Sequence, residues 1–261
     1  MASTGVNLFI FLYLSFLSKH TKGNLLEGKI VQGDYVKILN YPHAVYLEIQ
    51  CEDQSTHICG SSILNQYYLI SVAHCFNTVG KNGKIIAFAG HENIKKANVI
   101  RKNVIPIIHS KFDVSKVEHD IALLLLDKKM PLGSRTQRII IMKNFPTRIE
   151  GSVAGWGVIN DFTDEESILL KSVTQTLKTR NYCNVLRLGP GMFCAGSMQT
   201  SDPRPAASDS GSGLVTKNYQ LIGLLSYKVT KFPALPVYTN VSYYYNWIIY
   251  TTGSAFCTQR G

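Results

Sequence analysis

The chain has 261 residues, 45% of them hydrophobic and 17% charged, and Lys plus Arg outnumber Asp plus Glu by 27 to 17, a net charge of +10. That apolar fraction excludes a disordered chain, and the length allows one large or two small domains that bury a core without metal or partner. The basic residues are scattered and lack clustered stacking aromatics, which excludes a nucleic-acid reader and leaves a basic, solvated surface.

Val6 to Leu17 is a twelve-residue apolar run followed by Ser18, Lys19 and His20. A membrane-spanning helix needs roughly 20 apolar residues, so the run predicts a signal-peptide core, assigned to residues 1–18, with secretion to the extracellular space and no membrane partner. Six cysteines follow, at 51, 59, 75, 183, 194 and 257, without a metal-binding spacing. An even number in a secreted chain predicts disulfides, although spacing alone leaves their pairing open. Short apolar or alternating segments then succeed one another at 44–49, 62–70, 85–89, 99–108 and 121–126. A polar connector spans 127–136, and the pattern resumes at 139–142, 152–155, 171–178, 191–195, 214–215, 221–226 and 237–241. Closely spaced strands with turn residues between them predict an all-β sandwich or barrel. The end alone reads as helix, with Ser242 capping 243–251.

Three segments carry chemistry when taken together. Ser71-Val72-Ala73-His74-Cys75 follows an apolar strand, His119-Asp120-Ile121-Ala122-Leu123 opens another, and Ser208-Asp209-Ser210-Gly211-Ser212-Gly213 is rich in Ser and Gly. A serine hydroxyl is a poor nucleophile at neutral pH and needs a base within hydrogen-bond reach. Each segment alone is weak, but the order His, Asp, Ser in one all-β chain is specific. Further matches are Lys29-Ile30-Val31-Gln32-Gly33, Cys59-Gly60, Gly155-Trp156-Gly157, Phe193-Cys194-Ala195-Gly196, and Val237-Tyr238-Thr239-Asn240-Val241 before Trp247-Ile248. On these residues the chain resembles the trypsin/chymotrypsin family of serine endopeptidases over nearly all of 30–261. In detail it is most similar to insect chymotrypsin-like or elastase-like members.

The resemblance implies two antiparallel six-stranded β-barrels, at about 30–135 and 136–241, a C-terminal helix at about 242–251, and an active site in the cleft between the barrels. It implies a catalytic triad in which Ser210 attacks, His74 takes the proton and Asp120 orients the imidazole. The backbone N–H groups of Ser208 and Ser210 would face the oxyanion. The implied disulfides are Cys59–Cys75 and Cys183–Cys194. The resemblance also implies a zymogen: a trypsin-like activating protease would remove the activation peptide, 19–29, by cutting after Lys29, and the amine of Ile30 would pair with Asp209. Protein or peptide substrates and protein inhibitors are the implied partners of a monomer, and no cofactor or metal is implied.

This sequence departs from the family pattern around the serine. Ser208 replaces a glycine, and a residue with a Cβ resists backbone conformations that glycine accepts, so a weakened oxyanion site is expected. Ala206 stands where a cysteine is usual, which removes the bridge across the substrate pocket. Arg204 falls at the pocket floor, where a trypsin-like preference for Lys or Arg needs a carboxylate, so that preference is not expected. After Ser226 and Tyr227, Lys228 replaces a glycine of one wall, and Pro236, after Leu235, alters the other. The pocket then accepts small residues, recruits an acidic side chain through Arg204 or Lys228, or is plugged. The alternative to an enzyme is a catalytically weak or inactive serine-protease homologue that binds or regulates. Cys51 and Cys257 remain, and no bond between them is expected.

Overall fold

Period-two alternation shapes the first long strand. In Ala44–Gln50, Val45, Leu47 and Ile49 are buried while Tyr46, Glu48 and Gln50 alternate with them toward the surface; one face of such a strand meets a core and the other does not. The computed structural model describes residues 33–258 apart from 148 and 161–164, so the signal and activation segments, Lys29 and Ile30 lie outside the described residues. In chain order the strands are β1 Asp34–Tyr35, β2 Ala44–Gln50, β3 Thr56–Ile63, β4 Tyr68–Ser71, β5 Lys84–Ala89, β6 Val99–Arg101, β7 Val104–Ile108 and β8 Ala122–Leu126. The second half adds β9 Ile140–Ile141, β10 Glu150–Gly155, β11 Val158–Asn160, β12 Glu165–Glu166, β13 Lys171–Thr176, β14 Met192–Cys194, β15 Gly213–Thr216, β16 Gln220–Val229 and β17 Phe232–Asn240, then helix α1 Tyr245–Thr258.

Two curled sheets result. One runs β6-β5-β2-β3-β4-β8-β7, and the other runs β1-β13-β10-β15-β16-β17-β14 with β9 beside β16; β11 and β12 pair separately. Neighbours are antiparallel except for β9 against β16. The sheets are half-barrels of seven and eight strands rather than six each, because two-residue edge strands extend the second and predicted runs divide in the first. The run predicted at 62–70 breaks into β3 and β4 where Asn65 Oδ1 accepts from Tyr67 N at 2.8 Å and Tyr68 N at 2.9 Å, closing a hairpin turn. The run at 99–108 breaks between Arg101 and Val104, and Pro106 is tolerated because β7 pairs only with β8.

The chain ends cross between the halves. β1 pairs with β13, Asp34 opposite Ser172. Conversely, Tyr244 and Ile248 at the start of the C-terminal helix join the core built from β2 to β8, beside Val241 and Leu224. The helix starts two residues later than predicted and runs farther. Ser242 does not cap it: its Oγ donates to Met142 O at 2.7 Å, and Asn240 Oδ1 accepts from the Ser242 N–H at 2.9 Å instead.

Candidate active site

His74 lies on a single 3-10 turn, Ala73–Phe76, where β4 ends, and the Cys59–Cys75 disulfide ties that turn back to β3. Asp120 lies just before β8, which pairs with β4, so the strand register brings the two side chains together. Asp120 is fully buried and accepts from His74 N and His74 Nδ1, each at 2.8 Å, and from Ser226 Oγ at 2.6 Å. An ionised carboxylate only accepts, so Nδ1 carries the proton and Nε2 presents its lone pair. Thr239 Oγ1 donates to the Asp120 carbonyl at 2.7 Å, which fixes this backbone from the opposite sheet.

Neither the Ser226 nor the Thr239 contact with Asp120 was legible in the sequence. In the sequence Ser226 reads only as a pocket residue, and a hydroxyl's partner has no local signature. Ser226→Ala is expected to cost about 1.5–3 kcal/mol of stability, because it removes one donor from a buried carboxylate. Urea unfolding measures this, and a loss below about 0.5 kcal/mol would contradict it.

Ser210 comes from the other sheet, on the connection between β14 and β15. Its carbonyl accepts from Gly60 N at 2.7 Å, and Gly211 N donates to Leu225 O at 2.8 Å. Gly211 has φ +86°, and a Cβ there would meet Gly60 O at 2.3 Å, so this tight crossing admits only glycine. Cys75 Sγ lies 4.0 Å from His74 Nε2 and 3.9 Å from Ser210 O, so base and nucleophile segment meet at one sulfur. Ser210 Oγ donates to Ser226 O over a long 3.5 Å, a weak bond that leaves the hydroxyl able to turn.

Asp209, beside it, is buried, with Oδ1 accepting from Gly157 N at 2.8 Å and Oδ2 from Ala206 N at 2.9 Å. The Gly155-Trp156-Gly157 motif thereby gains a physical meaning. A Cβ on Gly155 would sit 2.2 Å from Asp209 Oδ1, and one on Gly157 2.5 Å from its carboxyl carbon. Burial pushes the Asp209 carboxyl up to about 6, against the pull of its two N–H donors and of the Lys228 and Lys171 charges.

Ser208 adopts φ +67°, the left-handed region that its predicted glycine-like role requires. Neither its N–H nor that of Ser210 donates to another group among the described residues. The cleft in front of them has a volume of about 440 Å³ and is lined by His74, Ser208, Ser210, Ser226, Tyr227, Lys228 and Pro236 together with apolar residues. Val114 and Val117, which sequence reasoning missed, also line it; nothing in their own types marks them. Arg204 is placed outside this lining, contrary to expectation, because its Nη1 donates to Thr200 O at 2.8 Å. In place of a bridge at buried Ala206, the β16–β17 hairpin carries the wall, pairing Tyr227 with Val237 and Val229 with Phe232. Cys183–Cys194 is also formed, anchoring β14. Cys51 is a buried free thiol, its Sγ 3.4 Å from Thr78 Oγ1; the side chain of Cys257 lies outside the described residues.

The Trypsin family model matches residues 30–248. The chain belongs to the trypsin family. It is 27% identical to Trypsin Blo t 3 of Blomia tropicalis over 85% of each sequence. It is 31% identical to coagulation factor IX of Oryctolagus cuniculus over 84% of this chain and 83% of that one. Hypodermin-B of Hypoderma lineatum is 27% identical, over 85% of this chain and 87% of its own length. A solved structure of GrC superimposes with a TM-score of 0.76 at 23% identity, covering 85% of this chain and 99% of that one. That likeness shows the trypsin-family fold alone. Transmembrane protease serine 9 of Rattus norvegicus is also a relative, and among the described residues no helix is long and apolar enough to cross a membrane.

Proposed function

We propose that this trypsin-family chain is a secreted serine endopeptidase made as a zymogen. The supporting observation is the alignment of His74 Nδ1 on buried Asp120 at 2.8 Å, with Ser210 in the same cleft as the opposite imidazole nitrogen. Ser210 Oγ turns from Ser226 O toward Nε2, gives up its proton and bonds to the substrate carbonyl carbon. Asp120 stays ionised and stabilises the imidazolium. The uncommitted N–H groups of Ser208 and Ser210 face the developing oxyanion. The imidazolium then protonates the leaving amine, and water, activated by the same nitrogen, hydrolyses the acyl-enzyme. Cutting after Lys29 by an upstream trypsin-like protease supplies the Ile30 ammonium to Asp209. Secretion rests on the apolar run at Val6 to Leu17. The absence of a carboxylate among the described cleft residues argues against a Lys or Arg preference.

Ser208 favours a second reading, a weakly active homologue, because a serine held at φ +67° costs about 1–2 kcal/mol that glycine does not. Ser208→Gly tests it. The left-handed backbone already exists, so we expect a stability gain on the order of 1 kcal/mol in urea unfolding and a rise in kcat below about 10-fold. A rise of 10²-fold or more would show that the serine cripples the oxyanion site and would favour the homologue.

A further inference from the structure

We infer that the cleft beside Ser210 selects substrates with an acidic side chain, Asp or Glu, on the residue whose carbonyl is attacked, and that Lys228 reads that carboxylate. This rests on the endopeptidase reading and names its substrate class.

Three observations carry it. The cleft walls are mainly apolar, with Ala206, Leu225 and Pro236 among the lining and no carboxylate from the described residues. A Lys or Arg side chain entering it would meet like charge and no partner. Of the two cations the sequence offered, Arg204 is committed to Thr200 O and absent from the lining, which leaves Lys228 as the cation of the wall. Finally, Lys228 lines the cleft with Ser210 and is half-buried rather than fully exposed. It follows Tyr227, which is paired with Val237, and its charge reaches the buried Asp209 carboxylate behind Ser208 and Ser210, favouring the ionised form. A cation against apolar walls acts with less screening than one at the open surface. Lys228 has contacts of its own, so a substrate carboxylate joins or exchanges with these.

The test uses the full chain cut after Lys29 and peptide pairs that differ only at the residue before the scissile bond, Glu against Gln and Asp against Asn. A charge-assisted hydrogen bond to an otherwise unread position predicts a 10- to 100-fold preference in kcat/KM for the acidic member. In Lys228→Met that ratio is expected to collapse to within about 3-fold, and in Lys228→Glu to invert. The ratio is taken within each variant, so a lower active fraction cancels. The same pairs are titrated calorimetrically against Ser210→Ala, which reads the preference in binding without turnover. A wild type whose Ser210 reacts with a fluorophosphonate but which handles Glu and Gln equally would overturn this inference and leave the endopeptidase reading standing. An unreactive Ser210 with a retained Glu preference in binding would do the reverse. Equal binding of the Glu and Gln peptides to Ser210→Ala would also overturn it.

Discussion

Replacing Ser210 by alanine is expected to lower kcat/KM of the chain cut after Lys29 by about 10⁴–10⁶-fold on any peptide it cleaves. The prediction follows from how little else the Ser210 side chain does. Its backbone carbonyl holds Gly60 N at 2.7 Å, and alanine keeps that bond. The hydroxyl makes one long contact to Ser226 O, so its removal costs almost no structure. Ser226 Oγ, a second hydroxyl of the cleft, is committed to Asp120 at 2.6 Å and cannot replace it. What remains in Ser210→Ala is the oxyanion site and substrate binding, which still lower the barrier somewhat. Progress curves with purified wild type and variant, matched in circular dichroism and melting temperature, measure the ratio. A fall of less than about 10-fold would mean that the hydrolysis comes from elsewhere.

The second large effect belongs to Asp209, and its sign depends on whether the chain is cut. In the uncut chain burial raises the carboxyl from 3.8 to about 6. The folded state therefore holds a proton that the unfolded state has released between those values. The associated stability is complete below pH 3.8 and is lost as pH rises through about 6. The loss is on the order of 3 kcal/mol, since each unit of difference is about 1.4 kcal/mol. Asp209→Asn removes that titration, so between pH 4 and 6.5 the uncut wild type should lose on the order of 3 kcal/mol relative to Asp209→Asn in urea unfolding, while buried His43, lowered to about 3, adds the same rise with pH to both. After the cut, the Ile30 ammonium favours the carboxylate, and the pH dependence reverses. Asp209→Asn then leaves the ammonium without its partner and sets an amide N–H against Gly157 N–H or Ala206 N–H. Losing one partner of a buried pair costs about 3–5 kcal/mol, which predicts a loss of activity of about 10²–10⁴-fold in the cut variant. Parallel pH dependences in wild type and Asp209→Asn, together with comparable activities after cutting, would contradict this account.

Much of the architecture was legible because it rests on local patterns. Val45, Leu47 and Ile49 alternate with polar neighbours, so β2 is read almost to the residue, whereas nothing local shows that Asn65 would turn the chain and divide β3 from β4. The crossing of chain ends is nonlocal: β1 joins β13 across more than half the chain. Within the site, short motifs mark His74, Asp120 and Ser210; the structure puts His74 and Ser210 in one cleft, with Asp120 buried behind the imidazole. The pocket was harder. Counting residues put Arg204 at its floor, but the count ignores where a long side chain turns, and the Thr200 carbonyl takes this guanidinium away. Lys228 and Arg204 looked equivalent in sequence, and only the fold separates them. Ser208 seemed a liability because of its Cβ, yet the tight connection before Ser210 holds it in the left-handed region regardless.

The central claim is that His74, aligned by Asp120, activates Ser210 once the chain is cut after Lys29. Mass spectrometry of the cut chain after treatment with a fluorophosphonate tests it most directly, with uncut chain and Ser210→Ala alongside. The account predicts a single adduct on Ser210, formed only after cutting and absent from both controls. A folded chain with a confirmed Ile30 terminus and no adduct on Ser210 would contradict it.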